Sequence, residues 1–181
     1  MTLQLARPFE LGPMPLGQPM EVVDDLFVHA PPPMIFELAS QVEHWPTYLP
    51  HYRYVRFRTR AADGGGLVEM SANRPFRLFG KIDVNWPTWW LSEMSVDPQK
   101  PAIRFRHVGG ITRGMEVEWT FTSSNNGTHV RIVHIWDGPD VPLIGMWAAT
   151  YLIGPVFVHG IASRTLAGLS SVAERKAKQQ S

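Results

Sequence analysis

Cysteine is missing from this 181-residue chain. Its absence excludes a disulfide scaffold, a thiolate metal site and a cysteine nucleophile. A surplus of one charge is missing too. The net charge is +1 at pH 7, so no broad basic surface draws in nucleic acid or an anionic membrane. The arginines of HYRYVRFRTR (His51 to Arg60) alternate with Tyr54, Val55 and Phe57, which is the pattern of a solvated strand face. No HExxH pattern and no acidic cluster occur, so neither a metal site nor a cofactor is expected. The run Gly64-Gly65-Gly66 lacks the Lys-Ser/Thr that completes a phosphate loop, and it falls between two strand-like segments.

A secretory leader is not expected: the first twenty residues have no basic start followed by a continuous apolar stretch and do not read as a signal peptide. A cytoplasmic location is the expectation. Within LGPMPLGQP, residues 11–19, five of nine residues are proline or glycine. Residues 1–20 therefore read as an irregular arm lying over a single domain, residues 21–178. Long hydrophobic runs are rare. Val141 to Ser163 carries no formal charge and is long enough to span a bilayer. Gly154-Pro155 interrupts it, and Gly145, His159 and Gly160 dilute it. Two helices packed on a sheet fit better than a membrane span.

The sequence is rich in strand patterns. Val22 to His29 is the first strand, and it runs into Pro31-Pro32-Pro33, which opens a short helix through MIFELAS. A second short helix or turn passes through VEHWPTYLP. Strands follow near 52–60, 66–73, 80–86, 88–96, 101–108, 114–122 and 128–136, with 66–73 and 80–86 readable as one bent strand or as two. The turn signals Asp63-Gly64-Gly65-Gly66, Asp97-Pro98, Gly109-Gly110 and Asn125-Asn126-Gly127 imply an antiparallel meander.

Alternation shows which face is covered. Met115, Val117, Trp119 and Phe121 share a face, as do Val130, Ile132, His134 and Trp136, and Ile103, Phe105 and His107. On TWWLSEM, Trp90, Ser92 and Met94 face inward because Glu93 requires water, and Trp89 faces out. Val158, Ile161, Thr165, Leu169 and Val172 follow helical spacing. The pattern predicts an α+β fold in which one long C-terminal helix packs on the inner face of a curved antiparallel sheet of about seven strands.

In the order and spacing of these segments, the chain resembles the helix-grip superfamily. Its members include START-related lipid-transfer domains, polyketide aromatase/cyclases, plant pathogenesis-related allergens and coenzyme-Q-binding proteins. The matching features are APPPMIFELAS after the first strand, VEHWPTYLPHY, GMEVEWTF after Gly109-Gly110, NNGTHVRIVH, and the final FVHGIASRTLAGLSSVAE. The resemblance implies a deep apolar cavity between sheet and long helix, with two short helices after the first strand. It does not fix the ligand.

The aromatase/cyclases show a Trp-x-Ser-x-Arg strand. This chain matches it with Trp90 and Ser92 but has Met94 where the arginine falls, and methionine cannot stabilise an enolate. Arg74 is a candidate replacement cation. By the same resemblance Trp45 and Tyr52 line the pocket mouth. The expected walls are Trp90, Met94, Phe105, Met115, Trp119 and Trp136, with Ser92 and His107 among the ligand contacts. His134 and Tyr52 are the candidate catalytic groups, since a histidine beside a cavity can act as acid or base near neutral pH.

The expected function is binding of a hydrophobic, aromatic or acyl small molecule of polyketide, quinone or lipid type. The alternatives are an aromatase/cyclase-type enzyme and a membrane-associated lipid or quinone carrier. The carrier would use residues 141–153 as a lid or peripheral membrane contact, with Trp147 and Tyr151 one helical turn apart. Monomer and homodimer stay open.

Overall fold

The computed structural model describes residues 11–17, 20–78, 82–138 and 159–180, with backbone alone at 74–78, 82–86 and His159. The chain starts with β1 (Met20–Val28). Pro31 is extended, with φ −65° and ψ 148°, and α1 (Pro32–Ser40) begins with prolines in its first turn, where no helical N–H is needed. The helix buries Ile35, Leu38 and Ala39 at helical spacing. A 3₁₀ turn (Val42–His44) leads into α2 (Trp45–Tyr48).

Six strands follow: β2 (Tyr52–Arg60), β3 (Gly66–Leu78), β4 (Ile82–Asp97), β5 (Ala102–Gly110), β6 (Glu116–Ser124) and β7 (Gly127–Trp136). They form one antiparallel sheet with β1, in the order β1-β7-β6-β5-β4-β3-β2. The two short helices thus carry the chain from one sheet edge to the other. The long C-terminal helix α3 (His159–Gln180) contacts β1, β3, α1 and α2. It buries Ala162, Thr165, Leu166, Leu169, Val172 and Ala173, and Glu174 accepts a 2.9 Å hydrogen bond from the His29 backbone N–H.

One expectation needs correction. The segments 80–86 and 88–96 are a single strand, β4, which pairs with β3 from Gly66–Met94 to Leu78–Ile82. Proline at 87 reads as a break, because proline cannot donate to a ladder. Here β5 pairs with β4 only as far as Trp90–Gly110, so Pro87 lies beyond the end of β5. On the other side Asn73 turns its N–H to the His51 carbonyl, 2.7 Å away.

A register shift between Leu91 and Ser92 leaves Val108 unpaired opposite β4, a bulge of the kind that bends a sheet. Just beyond it Gly110 has φ +88°, and a Cβ there would sit 2.4 Å from the Trp89 carbonyl oxygen. Only glycine fits this backbone without strain. Gly110→Ala is therefore expected to cost about 2 kcal/mol or more, read as a lower urea midpoint. An unchanged midpoint would remove the steric argument.

The outer face is ion-paired, and several of its charged groups are buried in those pairs. Glu69 accepts from Tyr54 at 2.9 Å, Arg56 at 3.0 Å and Arg58 at 2.6 Å. The Arg56 hydrogen bond is the main reason its carboxyl is held near a pKa of about 2. Arg104 and Arg106 converge on Glu116 at 2.9 and 2.5 Å. The same two guanidiniums hold the backbone carbonyls of Gly12 and Leu11, so this part of the N-terminal arm rests on the outside of β5. Trp89 points outward, as its position predicts, and stays half exposed at 53%. No helix among the described residues is long and apolar enough to cross a membrane. The expected lid at 141–153 lies outside the described residues.

Candidate functional site

The inner face of β3–β7 and the first turns of α3 line a cavity of about 70 Å³. Period 2 delivers its walls: Met70 from β3, Trp90 from β4, Phe105 and His107 from β5, and Val117 and Trp119 from β6. Met115 comes from the residue just before β6, and His134 from β7. Trp45 enters from α2 and Tyr52 from the start of β2. Ile161, Ala162 and Thr165 close the cavity from α3.

The rings touch one another in a continuous belt. Trp119 lies 5.8 Å from Trp45, Trp45 lies 5.2 Å from Tyr52, and Tyr52 lies 6.2 Å from Trp90. Trp90 stacks on His107 at 6.0 Å with a 21° interplanar angle. Such contacts stiffen the wall and hold the ring faces in fixed orientations. The Trp45 indole N–H is committed to the Leu38 carbonyl at 3.1 Å, so Trp45 offers only its apolar ring.

Few polar atoms interrupt this lining. His107 Nδ1 lies 2.6 Å from the Thr112 hydroxyl. His134 Nδ1 is buried with no hydrogen-bond partner among the described residues, an arrangement that costs free energy. Burial pushes the pKa of His107 down to about 3. Burial, and then repulsion from His107, pushes His134 to about 3 as well. Both imidazoles are neutral at pH 7. Burial raises the Tyr52 phenol above its ordinary range, against the opposing hydrogen bond from Thr165. The site is an apolar chamber with neutral hydrogen-bonding groups and no fixed charge on its described walls.

Among the residues singled out from sequence, the structure brings together Trp45, Tyr52, Trp90, Phe105, His107, Met115, Trp119 and His134. Three others do not line the cavity: Met94 and Trp136, expected as walls, and Ser92, expected as a ligand contact. Ser92 and Met94 share the inner face with Trp90 but are fully buried between their strand neighbours. Trp136 is buried further along β7, where its indole N–H donates to the Arg113 carbonyl at 2.8 Å and pins the β5–β6 turn. The Arg74 side chain lies outside the described residues.

Sequence reasoning missed Met70, Thr112, Val117, Ile161, Ala162 and Thr165 as lining residues. Thr165 carried a signal, being a polar residue in the apolar stripe of α3. Thr112 sits in the β5–β6 turn, where no periodicity applies. No group of three or more histidine, aspartate or glutamate side chains among the described residues is placed to hold a metal.

A curved antiparallel sheet gripping a C-terminal helix around an apolar chamber is the helix-grip architecture of START-like proteins. The chain belongs to the polyketide cyclase/dehydrase and lipid transport family, whose model matches residues 28–152. Solved structures agree on the fold. The Zhui aromatase/cyclase from a Streptomyces species superposes with a TM-score of 0.69 at 16% identity, covering 87% of this chain and 94% of that one. A protein from Thermus thermophilus gives 0.64 at 20% identity, with 87% and 99% covered. A START superfamily protein from Mycobacterium smegmatis gives 0.57 at 17% identity, with 89% and 99% covered.

Proposed function

We propose that this protein binds a hydrophobic small molecule, aromatic or acyl in character, in the chamber between sheet and C-terminal helix. The observation that carries this reading is the run of touching aromatic rings, from Trp119 through Trp45, Tyr52 and Trp90 to His107, along one apolar space that His134 also borders. Apolar burial supplies the affinity at roughly 25 cal/mol per Å². Tyr52, His107 and His134 orient the guest's oxygens. The space of about 70 Å³ is small beside the roughly 300–1,000 Å³ of ordinary ligand sites. A guest larger than a single ring therefore moves the wall, with the flexible Met70 and Met115 first to yield.

An aromatase/cyclase-type reaction is the second reading, because His134 and Tyr52 face one chamber and a cyclisation needs a base and an oxygen-binding donor together. The chemistry ranks it below binding. A base held near pKa 3 accepts protons poorly at neutral pH. Met94 also supplies no charge where that strand pattern carries an arginine.

The deciding experiment is native mass spectrometry of protein isolated from its own organism, with identification of the molecule released on denaturation. An apolar molecule is expected. A fluorescent hydrophobic probe should bind, and Ala162→Phe, which fills the chamber, should weaken that binding on the order of tenfold. No released molecule and no probe binding would sink the proposal. Cyclase activity abolished in His134→Ala would instead move the second reading ahead.

A further inference from the structure

Thr165 holds a junction of hydrogen bonds that packing alone does not require. Its Oγ1 lies 2.8 Å from the Ile161 carbonyl oxygen one helical turn earlier, 3.2 Å from the Tyr52 hydroxyl and 3.1 Å from His51 Nε2. Thr165 itself is only 1% exposed. A threonine hydroxyl has one hydrogen and two lone pairs, and the Ile161 carbonyl can only accept, so at any moment the hydroxyl donates either to that carbonyl or to one of the two side chains. The Ile161 carbonyl is already part of the helical ladder. The hydroxyl can therefore turn its hydrogen to Tyr52 or to His51 without stranding that carbonyl.

The two side-chain partners face different spaces. Tyr52 lines the ligand chamber. His51, its neighbour in the chain, lines a separate recess with Pro50, Asn73 and Arg164, open to solvent. The ordered series Tyr52 Oη, Thr165 Oγ1, His51 Nε2 thus crosses the chamber wall. Each link is a hydroxyl or imidazole that can accept a proton on one side as it gives one up on the other. Burial, with the nearby Arg164 charge, lowers the His51 pKa to about 4, so its imidazole is neutral at pH 7 and free to change tautomer.

We propose that Tyr52, Thr165 and His51 form a proton relay between the ligand chamber and solvent, with Thr165 as its positioning residue. This rests on the chamber being the ligand site and on a guest that gains negative charge on an oxygen there. When an oxyanion develops on a bound guest, the Tyr52 O–H bond breaks and its proton goes to that oxygen. The Thr165 proton passes to Tyr52, and the Nε2 proton of His51 passes to Thr165. His51 Nδ1 then takes one proton from solvent. One solvent proton has neutralised one guest oxyanion. Tyr52 and Thr165 regain their protonation, and His51 ends in its other tautomer. Run in reverse, the relay exports a proton. Without it, a proton reaches Tyr52 only through the chamber itself or through local opening of the wall.

The test needs no ligand. Protein carrying tyrosine labelled with ¹³C at Cζ is placed in equal parts light and heavy water. The isotope shift at Cζ then reports hydroxyl exchange, and Tyr52→Phe assigns the signal. In the native protein Tyr52 is expected to exchange fast and give one averaged signal. Thr165→Val keeps the side-chain shape and removes the hydroxyl. It should slow exchange on the order of tenfold or more, splitting the signal in two. Thr165→Ser should restore the single signal, which a purely structural role for Thr165 would not require. If Thr165→Val fails to fold, His51→Phe breaks the relay at its solvent end and should split the signal equally. A split signal in the native protein, or a single signal in the folded valine or phenylalanine variant, overturns the relay. Failure of ligand binding with the relay intact would refute the proposed function alone.

Discussion

At pH 5 the folded protein is expected to be about 4 kcal/mol less stable than at pH 7, from its two chamber histidines alone. His107 and His134 have pKa values of about 3 in the folded chain, against 6.5 when unperturbed. A base whose folded pKa is depressed binds its proton more readily unfolded. Above pH 6.5 both states are neutral and nothing is lost. Below it the unfolded chain gains protons that the folded chain refuses, and stability falls by about 1.4 kcal/mol per pH unit for each such group. The loss continues to about pH 3. Each histidine therefore contributes about 2 kcal/mol between pH 7 and 5. His51, half-buried and lowered to about 4, adds less. The carboxylates act in a separate window, since Glu69, held near 2, loses its contribution only as pH falls below the ordinary carboxylate range. Urea unfolding at pH 7, 6 and 5 measures the slope. His134→Gln should remove about half of it, and a flat profile between pH 7 and 5 would show that these imidazoles are solvated.

Trp90→Ala should cost about 3 kcal/mol of stability and enlarge the chamber. Phenylalanine and tryptophan truncations in cores cost about 3–5 kcal/mol. The low end applies because one face of Trp90 already borders open space and loses no contacts there. The variant also removes the stacked ring beside His107 and the neighbour of Tyr52, breaking the aromatic belt. A bulky hydrophobic probe should then bind more tightly than to the native protein, and a small one more weakly. Equal weakening for probes of every size would mean that Trp90 supports the fold and does not set the chamber's volume.

Both predictions concern residues that period-2 patterning places on the inner face, and that much is legible in the chain. Trp90, Phe105, His107, Trp119 and His134 all follow from alternation on their own strands. Depth along the sheet does not. Ser92, Met94 and Trp136 obey the same alternation and still miss the chamber, because its position depends on where α3 and α2 approach the sheet. Thr165 was readable as an oddity in an apolar stripe. Its importance needed the partners that the fold brings from residues 51 and 52. The continuity of β4 through Pro87 was hidden for a related reason. A proline is a break only where a neighbouring strand needs its N–H. Gly109-Gly110 marks the end of β5, but no local pattern reveals that this end falls short of Pro87 on β4.

The order of the strands bears on how the chain is made. β1 has no partner among its neighbours in sequence. It pairs along its whole length with β7, Met20 opposite Trp136 and Val28 opposite Thr128. On a ribosome adding about 5–20 residues per second, β1 emerges roughly 5–20 seconds before the strand it pairs with. The rest of the sheet can zip by adjacent hairpins during that interval. Closure of the first edge, and with it the seat of α3 against β1, comes last. Nascent chains of this protein should therefore be most dependent on chaperones just before β7 leaves the exit tunnel.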